Sequence, residues 1–174
     1  MRRAVRALAV LAATSCLAAA APAAAPQGCT GFAWPLDTEL AWLGASPLES
    51  LQSGARLPAF VPKAYSLELR PAASAALPTP PSGKPHNAPA ESYAGFVTLP
   101  DVPSAGLYQV SLSGPGWIDV IQNGAAAAEQ GHTSAEGCPV IRKSLRFQLA
   151  AGPAVLELSS VPAAKVSFAI RRAE

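Results

Sequence analysis

The stretch Lys143-Ser144-Leu145-Arg146-Phe147-Gln148-Leu149 alternates apolar and polar residues with a period of two. Leu145, Phe147 and Leu149 fall on one side of an extended chain, and Ser144, Arg146 and Gln148 fall on the other. This alternation is typical of a strand that has one face in a core and one face toward solvent. The stretch therefore indicates a protein built from β-sheets that pack through one face.

Short segments of the same kind recur on both sides of this stretch, separated by turns rich in glycine and proline. They are Tyr65–Arg70, Tyr93–Leu99, Leu107–Leu112, Trp117–Gln122, Ala154–Leu158 and the final run Lys165–Arg171. Asn123-Gly124 is a strong tight-turn signal, and no strand–helix–strand rhythm argues for a parallel sheet. The pattern predicts a mainly β fold, an antiparallel β-sandwich of jelly-roll type.

One or two short helices are expected ahead of the strands. Asp37–Leu43 can form a helical turn with Asp37 or Thr38 as its N-cap. Ser46-Pro47-Leu48-Glu49 combines a serine cap, proline at the first helical position and glutamate at the third, and Gly54 offers a stop.

We predict an N-terminal arm over residues 22–62 and a β-sandwich domain over residues 63–174. Within the sandwich, residues 71–90 hold six prolines and few large apolar side chains, a composition that favours a loop of polyproline character. A loop of this length inside a compact domain is either mobile or functional.

Residues 1–21 carry the features of a secretory signal peptide. Three arginines open the chain, an apolar run ends at Leu17, and small residues follow. The run is shorter than the roughly 20 apolar residues of a membrane span. The prediction is a periplasmic or secreted protein that is not transmembrane.

Removing this peptide leaves ten basic residues against 11 acidic ones, so the net charge falls from +2 to −1. No cluster of lysine and arginine remains for a phosphate backbone, which excludes nucleic acid as an expected partner.

Three cysteines are present. Cys29 and Cys138 are expected to form a disulfide in an oxidising compartment. Cys16 lies in the apolar run, and Ala13-Thr14-Ser15-Cys16 loosely resembles a lipobox, which leaves a lipid anchor there as an alternative.

Two resemblances follow from longer segments. Gly106-Leu107-Tyr108-Gln109-Val110, Trp117-Ile118-Asp119-Val120, Leu149-Ala150-Ala151-Gly152 and Val166-Ser167-Phe168-Ala169-Ile170 together resemble secreted β-sandwich modules of the bacterial pre-peptidase C-terminal type. The likeness covers residues 107–170, and it implies a β-sandwich.

The mature chain as a whole resembles small exported bacterial proteins that are often labelled homogentisate 1,2-dioxygenase. Cys29-Thr30-Gly31-Phe32-Ala33-Trp34-Pro35-Leu36, Gly95-Phe96-Val97-Thr98 and Cys138-Pro139-Val140-Ile141-Arg142-Lys143-Ser144 carry this likeness. The resemblance implies an iron enzyme that cleaves an aromatic ring.

The residues themselves give little support to a metal enzyme. A non-haem iron site commonly uses two histidines and a carboxylate, and this chain has only His86 and His132, each in a segment expected to be a loop. To hold iron they would have to converge with Glu91, Asp119 or Glu136. We therefore expect no cofactor.

A hydrolase would need a different constellation. The G-x-S-x-G and H-E-x-x-H motifs are absent from the sequence. A serine triad with His132 and Asp119 stays open, because spacing does not show its geometry.

Binding is the function that the residues favour. Trp34 and Trp42 are candidates for a groove that stacks on a glycan or on a protein of the cell envelope, whereas Trp117 begins an apolar strand and is expected in the core. Asp119 is expected on a solvated strand position, and Arg142, Lys143 and Arg146 on a solvated face. The leading hypothesis is a non-enzymatic exported interaction or ligand-binding module, with the dioxygenase and the hydrolase as alternatives.

Overall fold

The computed structural model describes residues 26–173, and the predicted signal peptide and Cys16 lie outside this range. Within this range the fold consists of one α-helix, one short 3-10 helix at Ala72–Ser74 and eleven β-strands. The helix α1 spans Asp37–Leu43, and the strands are β1 Glu49–Gln52, β2 Ala64–Glu68, β3 Arg70–Pro71, β4 Tyr93–Thr98, β5 Gly106–Leu112, β6 Trp117–Gln122, β7 Ala125–Ala126, β8 Glu129–Ser134, β9 Lys143–Leu149, β10 Val155–Val161 and β11 Lys165–Arg172.

The strands form two sheets, which confirms the predicted mainly β fold. The six-stranded sheet, sheet A, has the order β1-β2-β11-β5-β9-β8, and the five-stranded sheet, sheet B, has the order β3-β4-β10-β6-β7. Every strand pair within them is antiparallel except β1 with β2. Leu145, Phe147 and Leu149 are all buried in the core between the sheets, as their alternation predicts.

The second predicted helix is wrong. The segment that starts at Ser46 leads instead into β1, which pairs in parallel with β2 through Glu49 opposite Tyr65 and Leu51 opposite Leu67. Pairing at a sheet edge outweighs a local capping signal, because helix propensity is a weak prior that tertiary contacts override. The first helix is present, but its N-cap is Leu36, without a side-chain hydrogen bond, rather than Asp37 or Thr38.

The described part of the predicted arm that precedes β1, residues 26–48, covers the outer face of sheet A and is called the arm below. Leu40 and Leu43 of α1 pack in a second apolar cluster with Ala64 and Ala169 of the sheet. The predicted disulfide between Cys29 and Cys138 is confirmed and ties this arm to the segment before β9.

Polar residues on the outer face of sheet A are consequently buried beneath the arm. The Glu39 carboxylate is fully buried and accepts hydrogen bonds from Gln109 Nε2 at 2.6 Å and from Arg171 Nε. Gln109 Oε1 accepts from Arg146 Nε at 2.9 Å, and the Arg146 guanidinium lies 4.3 Å from the centre of the Trp34 ring. The prediction that Arg146 lies on a solvated face is therefore wrong.

The segment 71–90, termed the Pro-rich segment from here on, covers the outer face of sheet B in the same way. Asp119 and Glu157 lie opposite each other on β6 and β10, and both are buried. The backbone N–H of Thr79 donates to Glu157 Oε1 at 2.9 Å, and that of Ser82 donates to Asp119 Oδ2 at 3.0 Å. Two carboxylates of sheet B thus hold the middle of this segment by its backbone.

Two predictions for β6 are wrong because the Pro-rich segment covers the outer face of sheet B. Asp119 is buried rather than solvated, and Trp117 packs on the outer face instead of in the core. The Trp117 indole N–H donates to Ser82 Oγ and to Asp119 Oδ1. A Cβ atom added at Gly83 would lie 2.6 Å from Cζ2 of this ring, so the Pro-rich segment passes against the indole where it has no side chain.

Between residues 26 and 173, no helix is long and apolar enough to cross a membrane.

Candidate functional site

A cleft of about 360 Å³ is lined by both sheets and by the Pro-rich segment, and we call it the basic cleft. Its volume lies at the lower end of the range of about 300–1,000 Å³ that is usual for small-molecule sites. The residues that line it are Pro85, Asn87, Pro89, Pro115, Gly116, His132, Ser134, Arg142, Lys143, Ser160 and Pro162.

The pairing of β8 with β9 explains why polar side chains meet in this cleft. Ser134 lies opposite Lys143, and His132 lies opposite Leu145, which is buried in the core. Cross-strand partners share a face, and every second residue of a strand does too. His132, Ser134 and Lys143 therefore continue the inner face of sheet A, which changes from apolar to polar at its β8 edge.

Lys143 is half-buried at the start of β9. Its ammonium group donates to the backbone oxygen of Gly116 at 2.8 Å. Burial lowers the pKa of this ammonium below its usual value, the charge of Arg142 acts in the same direction, and the carboxylate of Glu129 opposes both. The folded protein thus holds a positive charge at a place that disfavours it.

Arg142 adds a second cation. Its Nη2 donates to Glu136 Oε1 at 2.9 Å, and Glu136 is largely exposed. Its Nη1 is buried and has no hydrogen-bond partner among the residues that the structure describes. Buried polar atoms are normally paired, so this nitrogen is an exception, and it is enclosed by the protein rather than open to the cleft.

Ser160 reaches the cleft through an irregularity in β10. The pairing register shifts between Leu158 and Val161, and Ser160 has a positive φ of 52°. A bulge of this kind bends a strand and re-aims a side chain. Left-handed backbone at a serine is uncommon and concentrates at functional positions.

The structure does not bring the predicted catalytic residues together. The His132 side chain is 70% exposed, and its Nδ1 lies 3.1 Å from Glu129 Oε1. Asp119 is instead bound by Ser82 and Trp117 beneath the Pro-rich segment. His86 is exposed on that segment, and no group of three potential metal ligands occurs in the described part of the chain.

Trp42 stands at a separate apolar groove. It lines two neighbouring hollows of about 260 and 280 Å³, the first together with Phe60 and Tyr108, whose rings are 6.0 Å apart. Trp34 is half-buried under Arg146, and its indole nitrogen is buried without a partner among residues 26–173. Ligand binding at either tryptophan stays a prediction.

Sequence reasoning missed the basic cleft because β8 carries no alternation. Glu129–Ser134 is polar on both faces, so the period that marks a strand is absent. Arg142 and Lys143 were expected on a solvated face, yet Lys143 shares its face with the core residue Leu145. Lys143 and Leu145 are two residues apart in one strand and therefore point to the same face. This spacing is the one feature of the sequence that could have predicted an inward Lys143.

Comparison of the chain with protein-family profiles and with curated proteins finds no match.

Proposed function

We propose that this chain is an exported β-sandwich protein that binds a small ligand in the basic cleft, without catalysis, in the periplasm or at the cell envelope. The observation that carries the proposal is the change of the inner face of sheet A from apolar to polar at His132, Ser134 and Lys143. His132 and Ser134 are exposed at this edge, whereas Lys143 is half-buried. A cation held partly away from water costs stability, so its position points to a use other than packing.

The composition of the cleft supports binding of a small molecule. Its walls combine prolines with a few polar groups that converge on the same space. Small-molecule sites have this make-up, in which apolar surface supplies affinity and a few polar groups fix orientation.

Two features support export. The sequence opens with a signal-like segment, and the protein holds a disulfide between Cys29 and Cys138. Disulfides persist in the periplasm and outside the cell and are rare in the cytosol.

The proposal is tested by nuclear magnetic resonance of the purified, oxidised protein against a mixed set of neutral, cationic and anionic small compounds. Binders should shift the amide signals of β8 and of the start of β9. Ser134→Trp, which fills the cleft from an exposed position, should abolish these shifts. Gln148→Trp, on an exposed outer position of β9, is the matched control and should preserve them.

Shifts confined to the Trp42 groove, or the absence of any binder, would overturn this assignment of the site. The catalytic alternative has its own test in consumption of homogentisate by iron-loaded protein. Activity that disappears in His132→Ala would overturn the non-catalytic proposal.

A further inference from the structure

Resting on that proposed function, we propose that the ligand of the basic cleft is a small organic carboxylate, with its carboxylate beside Arg142 and Lys143 and its apolar body against the prolines. The charge balance at the cleft, the remaining N–H groups of its two cations and the apolar walls each support this class of ligand.

The charge of the lining is positive. Arg142 and Lys143 line the cleft, and no aspartate or glutamate does so within the described residues. The two nearby carboxylates are engaged at its margin, since Glu136 accepts from Arg142 and Glu129 lies beside His132. A cation in this cleft would meet like charges, and an anion would meet opposite ones.

Open donors set the position of the carboxylate. Arg142 has used one of its five N–H groups on Glu136, and Lys143 has used one of its three on Gly116. A carboxylate accepts several hydrogen bonds at once, and such charge-assisted bonds are the stronger kind. The negative charge of an anion bound here would also offset the unfavourable effect of burial on the charged form of Lys143.

The rest of the lining selects the body of the ligand. Pro85 and Pro89 of the Pro-rich segment line the same cleft as Pro115 and Pro162 of the sandwich. Their rings carry no donor, so they favour an apolar group of modest size. This contact distinguishes an organic acid from a free inorganic anion.

Cyclohexanecarboxylate and its uncharged amide, cyclohexanecarboxamide, form a matched pair of probes, with inorganic phosphate as the third. We expect the carboxylate to bind at least tenfold more tightly than the amide in nuclear magnetic resonance titrations. Arg142→Gln and Lys143→Gln should each weaken the carboxylate by roughly tenfold to a hundredfold. Lys165→Gln, which removes an exposed lysine paired with Glu68, should leave its affinity unchanged.

An amide that binds as tightly as the carboxylate would overturn the inference and leave ligand binding itself intact. Phosphate binding more tightly than the carboxylate would overturn the inference that the ligand has an apolar body. Failure of every probe and of the wider compound set would remove the proposed function as well. Amide spectra of each variant report folding, so a lost affinity in a folded Arg142→Gln protein is attributable to the guanidinium.

Discussion

Replacing Glu157 with glutamine is expected to stabilise the protein at neutral pH and to leave its stability unchanged in acid. The carboxyl group is 2% exposed. Its Oε1 accepts from Thr79, and its Oε2 is buried without a partner among residues 26–173. Glutamine keeps the acceptor for Thr79, removes the charge, and brings an N–H donor to the side of Asp119, its cross-strand neighbour.

The sign of the pH dependence follows from the direction of the pKa shift. Burial raises the pKa of Glu157 above its ordinary value of 4.5; the hydrogen bond from the Thr79 backbone opposes this, and the negative charge of Asp119 adds to it. The folded state therefore holds the proton more tightly than the unfolded chain does. The stability that this provides is fully present below about pH 4.5 and is lost as the pH rises through the raised pKa of the folded state.

A buried polar atom without a partner costs about 1–3 kcal/mol. We expect Glu157→Gln to gain about 1–3 kcal/mol at pH 7.5, with a rise in Tm of about 2–4 °C for each kcal/mol. Urea denaturation at pH 4 and pH 7.5 measures the free energy of unfolding under both conditions. Other titrating groups are common to both proteins and cancel in the difference.

Asp119→Asn is the contrasting variant, because Asp119 accepts bonds from the Ser82 backbone, the Ser82 hydroxyl and the Trp117 indole. An amide offers one acceptor oxygen where the carboxylate offers two, so a loss of about 1–3 kcal/mol is expected. A Glu157→Gln protein that is less stable than the parent at pH 7.5, or that gains equally at pH 4, would refute a cost of the buried Glu157 charge.

Three further changes test the covering of the two sheets. The double variant Cys29→Ser/Cys138→Ser should lose about 4–5 kcal/mol of unfolding free energy in urea titrations, because the bridge closes a loop of 109 residues; a loss below 1 kcal/mol would contradict this. Glu39→Gln should cost about 3–5 kcal/mol by the same measurement, since it removes the negative charge from the buried ion pair of Glu39 with Arg171, and an unchanged midpoint would argue against a buried ion pair. Gly83→Ala should cost about 1–3 kcal/mol through overpacking against the Trp117 indole, and it should shift the fluorescence of that indole. The same change at Gly137 is the control and should be near neutral, because the added Cβ has its nearest contact at 3.7 Å.

The strands with clear alternation could be predicted from the sequence. The packing of the arm on sheet A and of the Pro-rich segment on sheet B could not. Lys143–Leu149 and Trp117–Gln122 match β9 and β6 residue for residue. The alternation tells which residues face away from the core, and it carries no information on whether water or another segment meets them. Asp119 is polar and outward, as its parity requires, yet the Pro-rich segment removes it from solvent.

The same limit applies to β1 and β8. A strand is readable when one of its faces is apolar and the other polar, and Glu129–Ser134 lacks that contrast. The segment at Ser46 carries a sound helix signal, and the free edge of β2 competes for the residues that follow it. Each of these strands pairs with the strand that follows it in sequence, so it is defined by its hydrogen-bonded partner and not by an alternation of its own.

The two buried carboxylates and the basic cleft are connected through the Pro-rich segment. Thr79 and Ser82 are bound to Glu157 and Asp119, and the chain then continues to Pro85 and Pro89 at the cleft. Proline restricts the unfolded chain, so ordering this segment costs less conformational entropy than ordering a flexible loop of the same length. A few backbone contacts therefore suffice to hold it in place without a hydrophobic core of its own. Burial of acidic groups on one face of sheet B thereby provides a fixed wall for a site whose cations lie on sheet A.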